Sequence, residues 1–200
     1  FIPADRLRRR LNSNVRRPMK FSHLPESEHP SVLVRPIAAE DIENWYAYLS
    51  VRANVEHTSW NLHAAEELMP YVWGAEPLTP SLRLRLAIAD RETNRLVGTV
   101  GFHTVAPENL SAEIAYDLAP SVRGKGIATY ACNLLVSWAH EHVGLVRVQA
   151  TVLESNTASM AVLQRCGFER EGLLRSYRMV RGRSGNFCMY SHVALLQPAA

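Results

Sequence analysis

Apolar and polar residues alternate along several stretches of this chain, and a period of two marks a strand with one buried face. Ser31 to Ile37 reads as a first strand, closed by Pro36. Ile42, Trp45, Tyr46 and Leu49 then recur at helical spacing behind Glu40 and Asp41, whose charge suits a helix start. His57 to Trp60 reads as a loop, followed by a second short helix from about His63 that Pro70 disturbs. Leu82, Leu84, Leu86 and Ile88 alternate with Arg83, Arg85 and Ala87, so this strand is expected to be half-buried with a solvated basic face. Beyond a turn at Asp90 to Asn94, Leu96 to Val105 returns as its partner. Ala112 to Leu118 then completes an antiparallel meander.

The second half changes period. From Ile127 to His142 the apolar residues follow helical spacing, and Val146 to Val152 reads as a strand again. The intervening helix supplies the crossover that a parallel pair needs, so this strand is expected beside Ala112 to Leu118. Asn156 suits the N-cap of a helix starting at Thr157, and Gly167 suits its left-handed stop. Leu174 to Arg181 and Asn186 to Leu195 read as a closing hairpin across Gly182 to Gly185. The class is α/β, with a mixed, mainly antiparallel sheet and helices on both faces.

With 47% hydrophobic residues, 200 residues can bury one core. The domain is expected over residues 31–200, behind a basic, flexible extension over 1–30. The net charge of +3 comes from Arg6, Arg8, Arg9, Arg10, Arg16 and Arg17, set against Asp5 alone in the first eighteen residues. This excess is confined to one tail without an RNA-reading motif, so no nucleic-acid partner is expected. Three cysteines in apolar surroundings, with no CxxC and scattered histidines, favour reduced thiols and no metal. No apolar run approaches a membrane span and no secretory leader is apparent, so a cytoplasmic protein without membrane attachment is expected.

The chemistry concentrates between strand and helix. In the turn after Pro120, Gly124 and Gly126 can adopt angles closed to other residues, and Arg123 and Lys125 add positive charge. A helix opens immediately behind them, so its free N–H groups and its dipole favour an anion. Neither GxxxxGK[ST] nor GxGxxG is present, which removes support for ATP and NAD. Arg123-Gly124-Lys125-Gly126-Ile127-Ala128 instead fits [Q/R]xxGx[G/A] and resembles the pyrophosphate loop of the GCN5-related N-acetyltransferases (GNAT). The order that follows strengthens the likeness: a second strand, Glu154-Ser155-Asn156, a short helix with Ser159, Val162 and Leu163, then Cys166-Gly167-Phe168. It is similar to the RimJ/RimL branch, which acetylates N-terminal α-amines of ribosomal proteins, over about Val32 to Leu196.

The resemblance implies acetyl-CoA as acetyl donor, held in a wedge between splayed central strands. Backbone groups of Arg123, Gly124, Lys125, Gly126, Ile127 and Ala128 would hold its pyrophosphate, and Asn156 would bond it further along. A backbone N–H near Leu118, where the strand bulges in the family, would stabilise the oxyanion. A homodimer is open. The implied function is transfer of an acetyl group to a primary amine, foremost a protein N-terminal α-amine, by direct attack in a ternary complex. The rival acceptor is a small amine such as a polyamine, aminoglycoside or amino-acid derivative, and the rival class is a non-catalytic acyl-CoA-binding module.

A polyamine site would call for clustered carboxylates, and Glu66-Glu67, Glu40-Asp41-Glu43 and Glu76 all fall on stretches that read as solvated. Arg83, Arg85 and the closing arginines could instead receive a carboxylate. Glu113, on the central strand, is the first candidate base, acting directly or through water, ahead of Tyr116 and His103. The RimI branch has a Glu five residues before the Asn and a Tyr seven after it; here those positions hold Thr151 and Leu163. Ser159, three residues past Asn156, matches the serine that the RimJ/RimL branch places near the cofactor sulfur. It is the candidate proton donor to the thiolate.

Overall fold

The structure, a computed structural model, describes residues 23–72 and 83–194. The arginine-rich start, Trp73, Glu76, Leu82 and the chain beyond Ala194 lie outside the described residues. Seven strands form one sheet: β1 (Val32–Pro36), β2 (Leu84–Asp90), β3 (Leu96–Ala106), β4 (Ser111–Leu118), β5 (Arg147–Leu153), β6 (Glu169–Val180) and β7 (Arg183–Val193). Their order is β1-β2-β3-β4-β5-β7-β6. Every neighbouring pair is antiparallel except β4 and β5, which run parallel as the crossover requires.

That parallel pair governs the fold's function. Only Ser111 to Glu113 pair with Arg147 to Gln149; beyond them the two strands part. A wedge therefore opens in the middle of the sheet, with the facing backbone of β4 and β5 released from the ladder. Such groups need other partners, which makes the wedge a natural seat for a polar ligand chain.

Both faces of the sheet are covered. On one, α1 (Ile42–Leu49), α2 (Arg52–Val55) and a 3-10 turn over Ala65–Tyr71 bury Trp45, Leu49 and Leu68 against Ala87 and Leu96. On the other, α3 (Ile127–Trp138) and α4 (Thr157–Arg165) pack Ala131, Leu135 and Leu163 on Leu86, Ile88, Phe102, Ile114 and Val148. α3 ends before the expected His142, its last turn widening into a π-helix over Ala139–Val143. Cys132, Cys166 and Cys188 are free and buried.

Three expectations change. β2 is buried on both faces, so Arg85 is not solvated: α1 covers that side, and Arg85 lies 9% exposed in an ion pair with Asp117. Residues 23–30, assigned to a flexible extension, are strapped onto α3. The Tyr130 hydroxyl accepts from the N–H groups of Glu28 (2.9 Å) and His29 (3.2 Å), while Arg91 donates to the carbonyls of Ser27 and His29. The closing hairpin turns at Arg181 and Gly182, both at positive φ, which makes a two-residue turn and puts Gly185 inside the ladder opposite Arg178.

Candidate active site

The glycine turn sits at the open end of the wedge. Gly124 and Gly126 have φ of +74° and +78°, and a Cβ on either would meet nothing within 4 Å, so backbone conformation rather than space requires glycine there. Gly126 is also the N-cap of α3 and offers no side-chain acceptor, which leaves the first-turn N–H groups uncapped. They open into a cleft of about 880 Å³ lined by Arg123, Gly124, Gly126, Ile127, Ala128, Leu118, Asn156 and Ser159. Lys125, exposed, does not line it.

Arg123 works largely as a brace. Its Nε donates to the Leu118 carbonyl at 3.0 Å and Nη2 reaches the Asn54 carbonyl at 3.4 Å, tying the end of β4 and α2 to the turn. The expected bulge at Leu118 is absent, because β4 stays in register with β3 through Gly98 opposite Leu118. The pairing slips instead between Phe102 and Thr104, opposite Ile114 and Glu113. Gly98 permits the close approach: a Cβ there would stand 2.5 Å from Leu118 Cδ2 and 2.6 Å from the Asp117 carbonyl. Free donors on β4 thus come from its missing neighbour rather than from a bulge.

Asn156 holds both sides of the wedge mouth. Its Oδ1 accepts the Ser159 N–H at 3.0 Å, capping α4, and its Nδ2 donates to the His57 carbonyl at 3.1 Å. The cap fixes Ser159 on the first turn of α4, where its Oγ lies 2.9 Å from the Tyr116 hydroxyl. Burial pushes the Tyr116 phenol well above its ordinary pKa, so it stays protonated.

A second pocket of about 300 Å³ opens beside the first and shares Tyr116, Asn156, Ser159, His57, Thr58 and Trp60 with it. Glu113 lines this pocket and not the larger cleft. Its Oε1 accepts from Thr151 Oγ1 at 2.5 Å and from Arg178 at 3.0 Å, so the carboxylate is paired with an arginine. His103 lines the same pocket, and burial lowers its pKa.

Two features escaped the sequence. The Asp117 carboxylate, beside the cleft, accepts from Tyr48, Trp45 Nε1 (3.2 Å), Thr99 (2.6 Å) and Arg85 (2.5 Å). Burial and this neighbouring charge push the Tyr48 phenol well upward. Trp45 and Tyr48 stand one helical turn apart, so their polar tips sharing one stripe was the available signal. The Arg181 guanidinium accounts for the other: it donates to the carbonyls of Val55 (3.2 Å), Glu56 (2.6 Å), Thr58 (2.9 Å) and Trp60 (3.0 Å), pinning the loop that borders both pockets. No local pattern announces that clamp.

A splayed sheet, an uncapped helix end and two pockets meeting at paired hydroxyls suit a group-transfer enzyme with a phosphate-bearing donor. The family model described as acetyltransferase (GNAT) domain matches residues 31–169, and the chain belongs to that family of acetyl-CoA-dependent N-acetyltransferases. YoaA, an uncharacterized N-acetyltransferase of Bacillus subtilis (strain 168), is 32% identical over 174 residues, 84% of this chain and 97% of the relative. Among solved structures, RimL, a ribosomal L7/L12 α-N-protein acetyltransferase in complex with coenzyme A, superposes with a TM-score of 0.74 at 21% identity, covering 84% and 96% of the two chains. A spermidine N-acetyltransferase from Vibrio cholerae, in complex with CoA and spermine, gives 0.71 at 19%, covering 82% and 96%. These two structures share the fold while taking different acceptors, so acceptor choice has to be read from this chain's own pocket. Among the described residues, no three His, Cys, Asp or Glu side chains are grouped to hold a metal ion, and no helix is long and apolar enough to cross a membrane.

Proposed function

We propose that this enzyme acetylates the N-terminal α-amine of a protein or peptide, of the ribosomal-protein type, by direct attack on acetyl-CoA in a ternary complex. The carrying observation is the meeting of the two pockets at Tyr116 and Ser159, which lets an amine entering through the smaller one face a thioester held in the larger. Backbone N–H groups of Gly126, Ile127 and Ala128 suit the pyrophosphate, and the wedge between β4 and β5 suits the extended pantetheine. The Ser159 hydroxyl, backed by Tyr116, supplies the proton to the departing thiolate. Donors on the released edge of β4 stabilise the tetrahedral oxyanion.

The α-amine fits the modest base on offer. With an ordinary pKa of about 7.7 to 8, an α-amine is substantially neutral near pH 7, whereas a lysine at about 10.4 is not. In this reading Glu113, held by Arg178 at 3.0 Å, accepts the remaining proton directly or through one water. A polyamine acceptor has less support, since Glu113 is the sole carboxylate among the described residues lining the smaller pocket, and it is already paired.

The test is thiol release from acetyl-CoA with a short peptide bearing a free N-terminus, beside the same peptide with its N-terminus blocked and a lysine free. Release with the first alone supports the proposal. Release with the second alone, or with polyamines alone, contradicts it.

A further inference from the structure

Among the described residues, the charges around the smaller pocket do not balance. Three arginines, Arg83, Arg85 and Arg178, line it together with His57, His103 and the single carboxylate Glu113. Arg178 is matched by Glu113 at 3.0 Å, and Arg85 by Asp117 at 2.5 Å. Arg83 has neither: among the described residues no carboxylate stands within ion-pair distance of it, and its guanidinium lies 5.8 Å from the centre of the Tyr71 ring. His103, neutral or cationic, cannot offset it, and burial, which lowers its pKa, disfavours a further positive charge there. Among the described residues, one cation is therefore left over beside the place proposed for the amine, and it is exposed enough to be reached.

An unmatched cation there has two consequences. It disfavours the protonated form of a nearby amine, which raises the fraction ready to attack and penalises acceptors carrying further positive charge. It also offers a planar, two-pronged donor to an anion on the acceptor, and a carboxylate fits that fork.

Resting on the α-amine reading above, we propose that the preferred acceptor is an amine with a carboxylate a few bonds away, foremost a peptide N-terminus followed by an acidic residue, and that Arg83 receives that carboxylate. Arg83 is then a specificity-determining residue for the transfer reaction.

The test compares kcat/KM for peptides that differ only at the second residue (Glu, Gln or Lys), alongside free glutamate and spermidine as small acceptors, with the wild type and with Arg83→Glu. The expected order for the wild type is Glu above Gln above Lys, by about fivefold overall, the upper scale of one partly exposed ion pair. Arg83→Glu is expected to reverse the order while leaving acetyl-CoA affinity unchanged, since Arg83 does not line the donor cleft. Peptides acetylated with no preference, or with a preference that survives Arg83→Glu, overturn the inference and leave the α-amine reading standing. If no peptide reacts but glutamate does so in preference to spermidine, with Arg83→Glu reversing that preference, the reading of a protein or peptide N-terminus as acceptor falls and the carboxylate preference stands. Preference for spermidine, or no turnover of any acceptor, overturns both.

Discussion

The Tyr116 hydroxyl lies 2.9 Å from Ser159 Oγ, bridging the released edge of β4 and the first turn of α4 across the wedge. Both residues line both pockets, so with the donor in the larger cleft and the acceptor in the smaller, as proposed, this pair stands where the two would meet. If it delivers the proton to the thiolate, Ser159→Ala lowers kcat by about 10- to 100-fold, within the usual reach of general acid catalysis. Tyr116→Phe lowers it less, and the KM for acetyl-CoA changes little in either. Steady-state kinetics check this; an unchanged kcat in both variants removes the pair from the mechanism.

The same pair fixes a pH profile. Burial pushes the Tyr116 phenol upward, and because ionisation would remove its proton, a raised pKa moves that loss to more alkaline pH. The rate with a peptide acceptor is therefore expected to rise as the α-amine deprotonates, near pH 7.7 to 8 for an ordinary N-terminus, and then hold level to about pH 10. A falling limb between pH 8 and 10 that Tyr116→Phe abolishes would contradict this.

Asp117 and Arg85 form a buried pair whose partners reach α1, β2 and β3 together. Removing the charge from one member leaves the other uncompensated. Asp117→Asn is expected to cost about 3 kcal/mol, and Tyr48→Phe about 1.5 kcal/mol as the loss of one hydrogen bond to a charged group. Urea unfolding measures both; a loss below about 1 kcal/mol for Asp117→Asn would mean that the network contributes little.

Much of the fold was legible because its signals are local. The strand over Ala112 to Leu118, the glycine turn at 124 and 126 and a helix opening at Ile127 each depend on neighbours a few residues away, and each falls where expected. Asn156 capping α4 was legible for the same reason. Arg85 was not: alternation distinguishes two faces of a strand without saying what covers the second, and α1 covers it with Trp45 and Tyr48. Arg181 holds residues more than 120 positions away, beyond any periodicity. β6 started earlier than expected because an exposed edge strand carries only a weak alternation, and its ladder is interrupted between Leu174 and Arg178, where Ser176 has φ of +51°.

Arg181 leads to a fourth test. Four carbonyls of the 55–60 loop share one guanidinium, and lysine keeps the charge but lacks the planar fork. Arg181→Lys is expected to raise KM for both substrates about three- to tenfold, with kcat less affected, as lost positioning does. Limited proteolysis within residues 55–60 should quicken in parallel. Wild-type KM values in Arg181→Lys would show that the loop holds its place without the clamp.

At Gly126, space is free and only the backbone angle is demanding, so Gly126→Ala is expected to cost about 1 kcal/mol through its left-handed conformation. If the substitution relaxes the turn, the N–H groups at the start of α3 shift and acetyl-CoA binds more weakly, while acceptor KM is spared. Calorimetric titration with acetyl-CoA reads this directly; unchanged affinity would place the pyrophosphate elsewhere.

The central claim, acetyl transfer to an α-amine, is tested most directly by locating the product. One peptide with a free N-terminus and an internal lysine is incubated with acetyl-CoA and enzyme, then fragmented in a mass spectrometer. The expected result is a single acetyl group on the N-terminal residue, carried by the N-terminal fragment ions from the first onward. An acetyl group found only on the lysine, with the N-terminus free, would contradict the account.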